Sequence, residues 1–157
     1  MKIKYLFLAL LFVVSAFSSC KKMDVQDPQA QFEADEIRIK EFIATNNIPA
    51  IRHESGVYYQ IIEPGTGDFV YAANTLITAK YTLRLLNGDT VPNQPSTPVD
   101  FTLGGVIVGW QIGIPLIQKG GKIRLIIPSG YAYGTNPKPG IPVNSVLDFD
   151  VELVNAK

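Results

Sequence analysis

Apolar positions change their spacing twice along the chain. Between about Gln29 and Asn46, Phe32, Ile39, Phe42 and Ile43 recur at helical intervals, with Glu33, Asp35, Glu36 and Lys40 elsewhere, which predicts an amphipathic helix. Asn46-Asn47 followed by Pro49 supplies its stop. After Gly56 the period falls to two. Val57 to Ile62 is apolar and aromatic and ends at Pro64-Gly65-Thr66-Gly67. Ile77, Ala79, Tyr81, Leu83 and Leu85 then alternate with Thr78, Lys80, Thr82 and Arg84, and the run stops at the turn-forming pair Asn87-Gly88. The same alternation marks Val99, Phe101 and Leu103, then Ile123, Leu125 and Ile127. It returns in Leu147, Phe149, Val151 and Leu153, set against Asp148, Asp150 and Glu152. Strands with one apolar face and short connections predict an antiparallel sheet whose other face is solvated. Gly104 to Ile117 breaks the pattern. Its spacing suits a short helix over Ile107–Gly113, because Pro115 removes a hydrogen bond from any longer one. The expected class is α+β: an antiparallel sheet wrapped around one short helix, with an extra N-terminal helix.

The start of the chain reads differently. Lys2 and Lys4 precede an apolar run from Tyr5 to Phe17, too short for a comfortable membrane span and suited to a secretory signal. The run ends at Phe17-Ser18-Ser19-Cys20, which resembles the lipobox of bacterial lipoproteins. Cys20 is the only cysteine, so no intrachain disulfide or thiolate metal cluster can form, and acylation accounts for an unpaired thiol in an exported protein. The expected division is a signal peptide over 1–19, a polar tether over 20–30, a helix and linker over 31–55, and one domain over 56–157. Localisation follows as a membrane-anchored lipoprotein, periplasmic or associated with the outer membrane, held by acyl chains.

Charge and chemistry narrow the function by exclusion. Fourteen basic residues balance fourteen acidic ones, so no basic excess attracts nucleic acid. The lone histidine, His53, reads as a solvated loop residue beside Glu54 and Ser55. Without a second histidine, a phosphate-binding glycine loop or an HExxH motif, neither a hydrolase nor a metalloenzyme is expected, and no cofactor is implied.

What stands out is a set of aromatic and β-branched residues beside turns. Lys80-Tyr81-Thr82, Leu103-Gly104-Gly105-Val106-Ile107-Val108-Gly109-Trp110, Ile127-Pro128-Ser129-Gly130-Tyr131-Ala132-Tyr133-Gly134, and Gly140-Ile141-Pro142-Val143-Asn144-Ser145 running into Phe149-Asp150-Val151-Glu152-Leu153 occur in this order. Over about Gly56 to Val154 these segments resemble the FKBP-type peptidyl-prolyl cis-trans isomerases. The resemblance implies a twisted antiparallel half-barrel closed around the short helix, with a prolyl-binding pocket between them. Trp110 would be its floor, with Tyr81, Phe101, Ile107, Tyr133 and Phe149 as the other catalytic residues. Val91, Val99, Val106 and Ile141 would complete the substrate-binding wall. The Ile107 N–H and the Tyr133 hydroxyl would donate to substrate carbonyls, and the loop from Tyr131 to Ser145 would overhang the mouth. Implied partners are proline-containing polypeptides and a macrolide of the kind the family binds.

The resemblance also marks departures. Val91-Pro92 stands where the family commonly has Phe-Asp, Val99 where an aromatic is frequent, and Lys138 near a position that can hold His. A weakly catalytic or non-catalytic prolyl-binding chaperone module of the same fold therefore remains the alternative reading. The chemistry itself needs no nucleophile. Amide resonance sets a rotation barrier of ~18–20 kcal/mol, and a site that binds the twisted amide better than either planar isomer lowers it.

Overall fold

The computed structural model describes residues 27–92 and 94–157. The expected signal peptide, Cys20 and most of the expected tether lie outside them. Helix α1 spans Pro28–Thr45. The Asp27 carboxylate accepts the Gln29 N–H at 2.9 Å, and Pro28 occupies the first turn, where no N–H is needed. The last three residues of the expected tether are thus helical, because Asp-Pro forms a helix start. Asn47, at φ 51°, turns the chain out of α1.

Six strands follow: β1 (Ile51–Arg52), β2 (Tyr58–Glu63), β3 (Leu76–Leu85), β4 (Val99–Thr102), β5 (Lys122–Ile127) and β6 (Leu147–Ala156). They form one antiparallel sheet in the order β1-β2-β5-β6-β3-β4. Strand β1 falls within the stretch read as linker; two residues are too few to show a period. His53 is not a freely solvated loop residue. It is half-buried, its Nδ1 accepts the Ser55 N–H at 3.1 Å and lies 2.9 Å from the Ser55 hydroxyl, which closes the turn into β2.

Helix α2 (Val108–Gly113) crosses one face of the sheet and runs into a single 3-10 turn at Ile114–Leu116, where Pro115 ends regular helix. Two glycines set how close it lies. A Cβ on Gly109 would stand 2.4 Å from Ile127, and one on Gly113 would stand 2.4 Å from Leu125. The helix backbone therefore rests directly on β5, leaving Trp110 to fill the space beside it. Ile77, Ala79, Leu83, Ile123, Leu125, Leu147, Phe149 and Leu153 supply the sheet's share of this main core.

The opposite face is not simply wet. Helix α1 covers part of it, and Ile39 packs with Ile48, Tyr58, Ile126 and Val146 in a second core flanked by Phe42, Ile43 and Leu86. Two carboxylates expected at the surface are buried as a result. Asp148, with 1% of its surface exposed, accepts two hydrogen bonds from Arg124, both 2.8 Å, and one from Arg84 at 3.3 Å. Arg124 in turn lies 5.8 Å from the centre of the Phe42 ring. Asp35, placed by sequence away from the apolar face of α1, instead lies on it with no exposed surface.

Candidate active site

Alternation along β3 turns Tyr81 toward α2, and β4 brings Phe101 to the same side through the pair Ile77–Phe101. Phe149 arrives from β6, opposite Leu83. These rings surround Trp110. Its indole meets Tyr81 at 5.3 Å, Phe149 at 5.4 Å and Phe101 at 5.6 Å between centroids, all edge-to-face. Tyr81 also contacts Phe101 and Phe149 at 6.2 and 5.9 Å in tilted geometry. Trp110 and Phe149 are buried, whereas Tyr81 and Phe101 are half-exposed at the rim. The indole N–H has no oxygen or nitrogen acceptor among the described residues; its surroundings are aromatic rings.

The rim carries the polar groups. Ile107 sits immediately before α2 in extended conformation, at φ −57° and ψ 147°. Its carbonyl accepts the Trp110 and Gln111 N–H groups, while its own N–H has no partner among the described residues. Gln111 Nε2 bonds back to the Val106 carbonyl at 2.8 Å and fixes this segment from behind. Val106 and Ile107 pack half-buried on the main core.

Tyr133 lies beyond the 3-10 turn Ser129–Tyr131, in a loop closed by its own backbone. The Ser129 carbonyl accepts from Ala132 and Gly134 at 3.0 and 2.9 Å, and Gly134 accepts from Asn144 at 2.7 Å. Burial raises the Tyr81 hydroxyl above its ordinary pKa, and the Tyr133 phenol adds to the rise. The Lys138 ammonium lies 5.6 Å from the Tyr133 ring centre. Ile141 is buried under this loop, and the paired bonds between Lys138 and Ile141 close its tip.

Val91 is buried in the same cluster, and Pro92 abuts the loop. A Cβ on Gly140 would stand 2.5 Å from Pro92 Cδ, so Val91-Pro92 and the 130s loop meet across the mouth. A cleft of about 420 Å³ runs beside this pair, lined by Lys80, Tyr81, Thr82, Val91, Pro92 and Gln94; it includes Tyr81 and Val91 but not Trp110, Phe101 or Phe149. Gln94 stands in for a neighbouring strand: its amide donates to the Leu83 and Val91 carbonyls, and its oxygen accepts the Leu83 N–H. Val99 shares the inward face of β4, opposite Ala79, but stands apart from the packed cluster. Tyr81, Phe101, Val106, Ile107, Trp110, Tyr133, Ile141, Phe149 and Val91 all belong to or pack on the main core, and Trp110, Tyr81, Phe101 and Phe149 form an aromatic cage within it. Gln94 and Gln111, which hold its walls, carry no sequence pattern that marks them, since each bonds irregular backbone.

These features define an α+β domain whose aromatic cage lies between a short helix and an antiparallel sheet. Residues 68–154 match the profile of the FKBP-type peptidyl-prolyl cis-trans isomerases. The chain is 43% identical over 105 residues to the FKBP-type peptidyl-prolyl cis-trans isomerase FkpA of Escherichia coli K12, covering 66% of this chain and 38% of that one. A probable FKBP-type isomerase of Haemophilus influenzae is 36% identical over 130 residues, covering 81% and 52%. Among solved structures, E. coli FkpA superposes with a TM-score of 0.69 at 36% identity, covering 82% of this chain and 64% of that one. A peptidyl-prolyl cis-trans isomerase of Pseudomonas syringae pv. tomato gives 0.67 at 30%, covering 82% and 95%. The chain belongs to the FKBP-type peptidyl-prolyl cis-trans isomerase family. It spans about two fifths of the E. coli FkpA sequence.

Proposed function

We propose that this chain is a peptidyl-prolyl cis-trans isomerase that assists the folding of exported polypeptides. The observation that carries the reading is the Trp110 cage, flanked by the Ile107 N–H, unpartnered among the described residues, and by Tyr133, which packs on the same core. A prolyl ring enters this apolar cage, and the flanking carbonyls accept from Ile107 and Tyr133. Planar amides owe part of their stability to charge separation between nitrogen and oxygen. Twisting about C–N reduces that separation, so a water-poor aromatic enclosure disfavours the planar form more than the twisted one. Holding the twisted amide better than either isomer is catalysis without a covalent step. The test is proline-limited refolding of an unfolded client. Sub-stoichiometric protein should accelerate the slow phase, which otherwise takes tens to hundreds of seconds, roughly. An unchanged slow phase would remove the folding role.

A second reading, a prolyl-binding module with little turnover, rests on Val91-Pro92. The pair closes the mouth with an apolar contact to Gly140 and brings no carboxylate to it. One lost polar contact to the transition state costs about 1–3 kcal/mol, roughly a tenfold to hundredfold slower reaction. Val91→Phe with Pro92→Asp is accordingly expected to raise kcat/KM by about tenfold or more. The two changes belong together, because Pro92 restrains the backbone of Val91. Equal or lower kcat/KM in the folded double variant would show that the existing pair already serves turnover.

The proposal extends to place and anchoring. Cys20, directly after an apolar leader, would be the acylated N-terminus of a membrane-anchored lipoprotein, periplasmic or associated with the outer membrane. Cys20→Ser should release the protein into the soluble fraction or leave its leader uncleaved. Unchanged processing and membrane fractionation would exclude the lipid anchor. A macrolide of the family's type is a further proposed ligand of the same cage, its fit altered where Val91, Pro92 and Val99 shape the wall.

A further inference from the structure

The candidate site is reached from behind by a carboxylate outside the segment that matches the family. Asp35, on α1, is fully buried, and its Oδ2 accepts both the N–H and the hydroxyl of Ser129, at 2.8 and 2.6 Å. Its Oδ1 accepts from Gln31 at 2.7 Å and lies 3.6 Å from the Arg38 guanidinium. Ser129 is also fully buried, and it sits at the root of the loop that carries Tyr133. Its carbonyl accepts the N–H groups of Ala132 and Gly134, the residues on either side of Tyr133. One helical turn before Asp35, Phe32 packs edge-to-face on Tyr131, with ring centres 6.0 Å apart. A single residue, Ser129, is therefore held through its N–H and hydroxyl by α1 and through its carbonyl by the loop.

We propose that Asp35 is a positioning residue for Tyr133. Bonds to an ionised carboxylate are shorter and stronger than neutral ones, and a buried carboxylate stripped of donors is unfavourable, so the Ser129 backbone is confined to one orientation. That orientation aims the Ser129 carbonyl at the Ala132 and Gly134 amides and so fixes the turn from which the Tyr133 side chain projects. The N-terminal helix thereby acts as a brace for the substrate loop as well as a cover for the sheet. The inference rests on the reading of Tyr133 as a donor to substrate.

The test compares Asp35→Ala, Asp35→Asn and Tyr133→Phe in the full chain, by amide hydrogen exchange without ligand and by kcat/KM on a prolyl peptide. In Asp35→Ala the Ala132 and Gly134 amides should exchange at least about tenfold faster, while the β5 amides keep their protection. The loss of kcat/KM should also be about tenfold, and Asp35→Asn, which still offers an acceptor to the Ser129 N–H, should recover most of it. In the Tyr133→Phe background Asp35→Ala should cost little more, because both changes disable the same contact. Unchanged exchange at Ala132 and Gly134, uniformly faster exchange across β5, or losses that add in the double variant would each overturn the proposal. If Asp35→Ala does not fold, Ser129→Ala removes only the hydroxyl contact and is read by the same exchange criterion. Were the wild type to bind or turn over no prolyl peptide, the functional reading would fall, and the exchange pattern alone would still decide whether Asp35 braces the loop.

Discussion

Trp110→Leu is expected to weaken prolyl-peptide binding by at least about tenfold. The indole lies at the centre of the aromatic cage, with edge-to-face contacts to Tyr81, Phe101 and Phe149 at 5.3–5.6 Å. Leucine keeps an apolar side chain but loses the flat surface on which a prolyl ring can rest. The substitution also touches the core, since Trp110 is only 3% exposed. Large-to-small changes at buried aromatics cost ~3–5 kcal/mol when truncated to alanine, so leucine should cost about 2 kcal/mol of stability. Binding must therefore be measured by calorimetry on protein whose fold has been verified by denaturant titration. Trp110 is the only tryptophan, so in the wild type its fluorescence reports the same event directly. Tyr133→Phe removes a hydroxyl without disturbing the cage and should cost about 1 kcal/mol of binding. Wild-type affinity in both variants would place the site elsewhere.

Asp148→Ala should be the most destabilising single change outside the cage. Its carboxylate is almost wholly buried and balances Arg124 and Arg84, each about three-quarters covered. Removing one partner of a buried pair costs ~3–5 kcal/mol; here Arg84 keeps its bond to Asp150, so Arg124 is the charge left without compensation. Because both guanidiniums reach water at one edge, the lower end of that range is expected, read as a shift of the urea midpoint at constant slope. Glu63→Ala gives the contrast. Its 2.8 Å pair with Lys122 is exposed on both sides and is worth about 0–1 kcal/mol. Comparable shifts for the two variants would mean that the covered outer face of the sheet contributes little to stability.

The alternation that defined β3 to β6 was readable because each of these strands turns one face to the main core. The short helix was readable for a different reason: Gly-Gly before it and Pro115 after it leave room for little more than two turns. Residues of the cage were legible only through the order of four motifs. Nothing in Tyr81, Trp110 or Phe149 signals chemistry by itself, because the proposed reaction needs an enclosure and no nucleophile.

Asp35 and Asp148 escaped for one physical reason. Charged residues are assigned to solvent unless a partner is known, and their partners are distant in sequence: Ser129 lies 94 residues from Asp35, and Arg84 lies 64 from Asp148. A hint did exist for Asp35. It stands three residues after Phe32 and four before Ile39, on the apolar stripe itself. Strand β1 and the Gln94 plug were invisible, because a two-residue strand and a side chain that mimics a strand have no period.

Two-dimensional exchange NMR on a short X-Pro peptide tests the central claim most directly, since it reads cis-trans interconversion at equilibrium without a coupling protease. Uncatalysed exchange over tens to hundreds of seconds, roughly, gives no cross-peaks on the sub-second mixing time. With a few per cent of wild-type protein, cross-peaks between the cis and trans prolines should appear, and Trp110→Leu should abolish them. Saturating binding of the peptide with no cross-peaks would contradict catalysis and leave a prolyl-binding module in its place.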